Sequence, residues 1–388
     1  MPCIQLKLLS SLLQAIASPI IGTLSDKYGR RTALLFSMAG NILSVLLWVC
    51  ATDFRTFLLS RVVGGLSEGN VQLAIAIATD VSDEKQRGAT MALIGICFSV
   101  SFTFGPALGA WLGSISTVAA NPFATAAGFS LFLIVTETIY LYAYLPETLP
   151  SKVASAEISK PPAATKPTTR SASKSAEAEP SSPPSGDAAL QRTNSHFILN
   201  LTHFAFILFF SGMEFSLPFM TYDLFSYTSA LNGRLLGYMG LVASLLQGGV
   251  TRRLPPLLSV RIGVVSCLLA LFLLGRISSV AGLYAATTLL AVTTATVVTG
   301  LNALSSFEAG AAERGGKLGN LRSWGQLGRG IGPLAFTSVY WWAGREVAYN
   351  IGGMGVLAVS LLAFFALESP KGSEGRKIKD AKVDVAEL

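Results

Sequence analysis

The chain has 388 residues, of which 51% are hydrophobic and only 13% charged, whereas soluble domains average about 25% charged residues. A mean hydropathy of +0.54 excludes an ordinary soluble domain and leaves an all-α, polytopic membrane helix bundle. The net charge of +7 lies in short loops between apolar stretches, a membrane-orientation pattern rather than a nucleic-acid-binding one.

Charge-free runs broken by charged turns predict about eleven spans of roughly 20 residues. In chain order they cover 8–24, 32–51, 55–79, 89–112, 124–145, 197–222, 235–250, 258–275, 280–303, 318–343 and 347–367. Lys7 followed by an apolar run has the outline of a signal peptide, but no cleavage site follows, so the run reads as a retained helix. Cys3, Cys50, Cys97 and Cys267 are scattered, with neither metal-ligand spacing nor a disulfide framework. Residues 150–195 are rich in Ser, Ala, Pro, Lys and Glu and read as a disordered linker. The organisation expected is an N-terminal helical half over 1–149, the linker over 150–195, a C-terminal helical half over 196–370, and a disordered tail over 371–388. If the Gly22–Arg31 turn is cytoplasmic, its side collects 22 Lys and Arg and the opposite side 4. That bias places the linker and the C-terminus in the cytoplasm.

The halves repeat. Gly105-Pro106-Ala-Leu-Gly109 and Gly332-Pro333-Leu-Ala are separated by 227 residues, and the same offset carries Gly22 to Gly249, just before Arg252-Arg253. Leu145-Pro-Glu-Thr ends the first half much as Leu367-Glu-Ser-Pro ends the second. The second half has six predicted spans and the first only five. The repeat therefore predicts that the counterpart of the sixth span, which would precede Leu8, is missing.

Charges inside spans are costly and mark function. At about 100° per residue, Arg61, Glu68 and Gln72 fall within about 20° of one line along the third span, which predicts one polar face toward protein or water. In the sixth span, Asn200, His203, Ser211, Glu214, Pro218 and Tyr222 share a face. Glu214, set among apolar residues, is either a proton-loading carboxylate or a buried neutral carboxyl bonded to a neighbouring helix. His203 reads as an interfacial polar residue, and Glu137 in the fifth span is a second carboxylate candidate. Arg322, Gln326, Arg329 and Pro333 line up in the tenth span; Arg329 either receives an anionic group or neutralises Glu214 or Glu137. Pro106, with Gly105 and Gly109, is expected to kink and pack its helix closely, and Gly332-Pro333 occupies the equivalent place. Asn200-Leu-Thr202 matches a glycosylation sequon but lies at the cytoplasmic side. Gly328-x-Gly330-x-Gly332 follows no strand and implies no dinucleotide site. No nucleophile–base pair, metal-ligand set or cofactor motif is present in the sequence, so neither an enzyme nor a cofactor is expected.

The turn Gly22-Thr-Leu-Ser-Asp-Lys-Tyr-Gly-Arg-Arg31 resembles the Gly-x-x-x-Asp-(Arg/Lys)-x-Gly-Arg-(Arg/Lys) loop between the second and third helices of major facilitator superfamily transporters, with every position filled. The resemblance implies two parallel six-helix repeats, here with the first helix apparently missing. It implies that Gly22, Asp26, Gly29, Arg30 and Arg31 work in conformational gating, Asp26 against a helix N-terminus near Gly319 of the opposite half, with Arg87 joining the network. Arg61-Val-Val-Gly-Gly65 is similar to the superfamily's Arg-x-x-x-Gly, which implies a place for Arg61 in the central cavity. Gly105-Pro106-x-x-Gly109 resembles the drug/proton antiporter motif. Strings such as Gln14-Ala-Ile-Ala-Ser-Pro, Ser60-Arg-Val-Val-Gly-Gly and Ser338-Val-Tyr-Trp-Trp-Ala-Gly resemble the tetracycline-transporter-like group of eukaryotic facilitators.

The function implied is a secondary transporter, monomeric in the bilayer of the plasma membrane or an organelle. It moves small amphipathic molecules or drugs by alternating access in antiport with protons. The alternatives are an organic-anion facilitator or exchanger, and a truncated, non-transporting isoform.

Overall fold

The structure, a computed structural model, describes residues 2–83, 86–113, 115, 121, 123–150, 152 and 193–370, without the side chains of 2–4, 102, 106, 107 and 110. The expected linker and tail fall almost wholly outside the described residues. The described residues form twelve α-helices and no strand. The first six are α1 (Pro2–Tyr28), α2 (Arg30–Val49), α3 (Phe54–Ser67), α4 (Asn70–Asp80), α5 (Arg87–Gly113) and α6 (Ala124–Tyr144). The second six are α7 (His196–Phe225), α8 (Ser229–Gly249), α9 (Pro256–Arg276), α10 (Val280–Glu308), α11 (Arg314–Ala343) and α12 (Arg345–Phe365).

Local chemistry sets the boundaries. Gly29 at φ 104° and Gly344 at φ 87° occupy left-handed conformations that favour glycine, so α1 turns into α2 and α11 into α12 with almost no loop. Asp53 caps α3 by accepting from the Thr56 amide at 3.1 Å. The Thr56 hydroxyl and amide together hold the Asp53 carboxyl below the usual carboxylate range. Ser279 caps α10 in the same way, accepting from the Gly282 amide at 3.2 Å.

Among the described residues eight helices are long and apolar enough to cross a membrane: α1, α2, α5, α6, α7, α9, α10 and α12. The predicted span 55–79 is not one helix. It breaks at Glu68-Gly69 into α3 and α4, and Gly69 sits against the Ile21 side chain, where an added Cβ would come within 2.5 Å. Helix α11 is long but rich in glycine, and its glycines are packing surfaces rather than a nucleotide loop. Gly328 and Gly332 face α7, Gly330 faces Leu8 and Ser11 of α1, and Gly319 faces the Ser18 backbone of α1. Small residues let helix backbones approach where lipid supplies no hydrophobic drive between them. So α11 is wedged between α1 and α7, with which it makes its most extensive contacts.

The bundle has one large apolar core, built by α7–α12 around Phe206, Met213, Leu271, Leu290, Tyr349 and Val356. The first six helices contribute a smaller cluster around Met38 and Leu73, and another, around Ile75 and Met91, joins them to Ala303 of α10 and Leu318 of α11. Large side chains outside these cores, such as Phe36 (78% exposed) and Phe365 (85%), suit a hydrocarbon surround and would be an aggregation hazard in water. Two seams join the helix groups, α1 on α11 and α5 on α8.

Candidate functional site

At the end of the bundle that holds Gly29, the α1–α11 seam is clasped by buried charge. Helix α11 begins at Arg314, so the amides of Gly315 and Gly316 lie in its first turn without intrahelical partners. Asp26 accepts from both, at 2.9 and 2.7 Å, the arrangement that a helix N-terminus favours for an anion. Sequence reasoning placed this partner near Gly319, one turn too far along. Close approach is obligatory here, since a Cβ on Gly22 would collide with the Gly315 carbonyl.

Arg30 is completely buried and reaches Asp26 at 2.6 Å and Asp80 at 2.8 Å. Asp80, also fully buried, takes Arg314 on its other oxygen. One carboxylate thus bridges a cation of the first helix group and a cation of the second. Glu147 accepts from the Arg30 amide at 2.8 Å and from the amides of Thr148 and Leu149. Arg31 and Arg87 were expected to complete this network. Arg31 donates to the Tyr142 carbonyl at 2.7 Å, and Arg87 lies over the Phe307 ring. Asp80 and Arg314 escaped the sequence reading because each lies at a helix end, where a charge has no signature of its own, and Glu147 because it lies in the coil after α6.

A matching polar knot closes α7–α12 at the same end. Glu308, at the close of α10, accepts from the Thr193 and Asn194 amides, both at 2.9 Å, and from the Asn194 side chain at 2.8 Å. Asn194 in turn bonds the Glu368 backbone beyond α12.

Between the helix groups lies a cavity of about 300 Å³, walled by α4, α5, α7, α8, α10 and α11. Phe98, Phe206 and Phe210 give it apolar faces, while Gln72, His203, Glu214, Arg322, Gln326 and Arg329 give it polar ones. His203 is buried in this wall, not interfacial as expected. Its Nδ1 is 2.9 Å from the Leu321 carbonyl, a contact only an N–H can make, so Nδ1 carries a proton and donates to that carbonyl. Glu214 makes no hydrogen bond or ion pair within 4 Å among the described residues, but it lies within electrostatic reach of Lys7, which also feels Arg329. Lys7 was not a candidate from sequence, because it precedes the first predicted span. Asn200, Ser211 and Tyr222, placed on the Glu214 face by periodicity, do not line the cavity; Ser211 packs toward Gly328 and Gly332.

The polar face drawn through Arg61, Glu68 and Gln72 is corrected by the break at Glu68-Gly69, which ends the regular 100° spacing on which it depended. Arg61 does not line the cavity. Its guanidinium lies over the rings of Trp48 (5.0 Å) and Phe57 (5.3 Å). Gln72 does line it and donates to the Ser18 carbonyl at 2.7 Å. Glu68 pairs with Arg322 at 3.0 Å across the seam and accepts from Gln14. Glu137 is exposed on α6, away from the cavity. Gly332 packs against the Leu208 carbonyl and Ser211, and Pro333 is buried beside it in α11. Gly105 and Gly109 meet open space, so the close packing expected around them is not made in this structure, and the Pro106 side chain lies outside the described residues. Among the described residues no cluster of His, Cys, Asp or Glu could hold a metal ion.

The geometry agrees with the comparisons to known proteins. The Major Facilitator Superfamily model matches residues 7–333. Major facilitator superfamily domain-containing protein 10 of Mus musculus is 32% identical over 362 residues, covering 92% of this chain and 76% of the relative. The class H tetracycline resistance protein of Pasteurella multocida is 37% identical over 123 residues, 31% of this chain and 30% of its own. Among solved structures, the human organic anion transporter MFSD10 (TETRAN) superposes with a TM-score of 0.76 at 30% identity, covering 92% of this chain and 82% of that one. A helical bundle clasped by the Gly22–Arg31 turn and matched over most of its length by this family is one of its members: the chain belongs to the Major Facilitator Superfamily.

Proposed function

We propose that this transporter carries small amphipathic organic anions across the membrane by alternating access, in the cavity between its two helix groups. The observation that carries the reading is the charge of that cavity. Arg322 and Arg329 line it, with Lys7 near Glu214 and Arg329, and among the described residues Glu214 is the single lining carboxylate. Aromatic faces opposite these cations suit the apolar body of such a molecule. The Asp26–Arg30–Asp80–Arg314 clasp closes the Gly29 end, and the basic loops there support a cytoplasmic orientation for it. Rocking of the two groups about the α1–α11 and α5–α8 seams would open it. The relative described as a human organic anion transporter supports the same substrate class.

Proton-coupled antiport of amphipathic drugs has a specific support as well, because Glu214 is a cavity-lining carboxylate that makes no hydrogen bond among the described residues. A cationic drug and a proton would compete for Glu214, which gives antiport. An anion has the opposite relation to it, since protonating Glu214 releases positive charge toward the anion and the two bind together. Proteoliposomes containing a trapped pH dye separate these cases. Naphthalene-2-sulfonate, permanently charged and unable to leak as a neutral acid, should acidify the lumen as it enters, and Glu214→Gln should abolish the acidification while leaving uptake. Lumenal alkalinisation on uptake would establish antiport and refute co-binding.

A further inference from the structure

We propose that Glu68 is a built-in competitor for the substrate's anionic group, holding Arg322 in the empty carrier and yielding it when an anion binds. The inference rests on the organic-anion reading above and adds a residue that this reading does not use.

Arg322 has two sides. One faces the cavity, which it lines. The other meets Glu68, whose carboxylate lies 3.0 Å from a terminal guanidinium nitrogen and does not itself line the cavity. Arg322 Nε is buried with no hydrogen-bond partner, so the guanidinium offers a donor that the resident carboxylate leaves unused. A bound carboxylate, sulfonate or sulfate that took the planar fork in bidentate fashion would satisfy it.

Glu68 is placed to let go. It stands at the break between α3 and α4, where the chain is not committed to a continuous helix, and its side chain is 37% exposed against 19% for Arg322. It keeps a second partner, Gln14 of α1, when Arg322 turns away. The pair crosses the seam: Glu68 belongs to the first helix group and Arg322 to the second. Substrate binding at Arg322 therefore removes an attraction between the groups, so the same event that loads the carrier loosens it. The charged groups around Arg322 are Glu68 itself and Arg329 on the same helix, with the cavity-lining His203 of α7 beside them. No other carboxylate is paired with it among the described residues.

The test is equilibrium binding of radiolabelled naphthalene-2-sulfonate to the purified full chain, with naphthalene-2-sulfonamide as the neutral isostere. Removing the competitor by Glu68→Gln should tighten sulfonate binding about tenfold, equivalent to about 1.4 kcal/mol, and leave sulfonamide binding unchanged. Glu68→Asp retains the charge, and wild-type-like binding in it shows that charge rather than contact is responsible. It also serves as the folded control should the Gln variant prove unstable, in which case its response to salt decides: sulfonate binding that does not change with ionic strength overturns the competition. Unchanged or weaker sulfonate binding in folded Glu68→Gln also overturns the proposal while leaving the organic-anion reading intact. Absence of sulfonate binding to wild type and variants alike overturns both.

Discussion

Replacing Asp80 with Asn tests whether the clasp at the Gly29 end holds the two helix groups together. Asp80 is fully buried and neutralises two guanidiniums, Arg30 at 2.8 Å and Arg314 across the seam. Removing one partner from a buried ion pair costs about 3–5 kcal/mol, because the remaining charge is left without compensation. Asn retains a carbonyl that still accepts one hydrogen bond, and Asp26 still pairs with Arg30, so the cost here falls at the lower end, about 3 kcal/mol. The penalty applies only while Arg314 is docked. It therefore appears as a shift of the closed–open equilibrium by about 150-fold. The assay is double electron–electron resonance between spin labels at Lys27 and Ala312, both exposed on opposite sides of the seam, in a chain whose native cysteines have been replaced. Wild type should give one short distance and Asp80→Asn a second, longer population. An Asp80→Asn distribution identical to wild type would refute the view that this carboxylate closes the seam.

Further outcomes follow from the same contacts. Gly22→Ala should lower the thermal stability of the purified protein by about 1–3 kcal/mol, the usual range for overpacking, because its Cβ meets the Gly315 carbonyl; melting at the wild-type temperature would show that α1 and α11 can separate freely. Glu137→Gln should leave sulfonate uptake within twofold of wild type, since the side chain is exposed on α6 and away from the cavity. Arg61→Gln should lower the melting temperature through loss of the Trp48 and Phe57 contacts, worth about 1 kcal/mol, without changing sulfonate affinity. A large loss of binding in either variant would return that residue to the transport pathway.

Much of the architecture was legible in the sequence, because a membrane span is specified by length and apolarity alone. The predicted stretches lie largely on helix, although 55–79 is broken at Glu68-Gly69 and only eight described helices are long and apolar enough to cross a membrane; the partnership of Asp26 with the start of α11 followed from one short motif. What failed depended on three-dimensional continuity. The alignment of Arg61, Glu68 and Gln72 assumed an unbroken helix, and the break at Glu68-Gly69 removed that premise. Glu137 was a carboxylate candidate because it lies within a predicted span, and position in a span does not say whether a side chain faces the cavity; it is exposed on α6. His203 was assigned to an interface by its distance from the span's end, yet α11 packs over it through Gly325. Asp80 and Arg314 were invisible as a pair, since 234 residues separate them and only the fold brings them together.

The central claim is that the cations lining the cavity bind an organic anion and carry it across the membrane. Uptake of radiolabelled naphthalene-2-sulfonate into proteoliposomes tests it most directly, comparing the wild-type chain, Arg329→Gln and protein-free vesicles. Saturable uptake by wild type, reduced at least tenfold in Arg329→Gln, is the predicted result. Uptake by Arg329→Gln equal to wild type, or no uptake above protein-free vesicles, would contradict it.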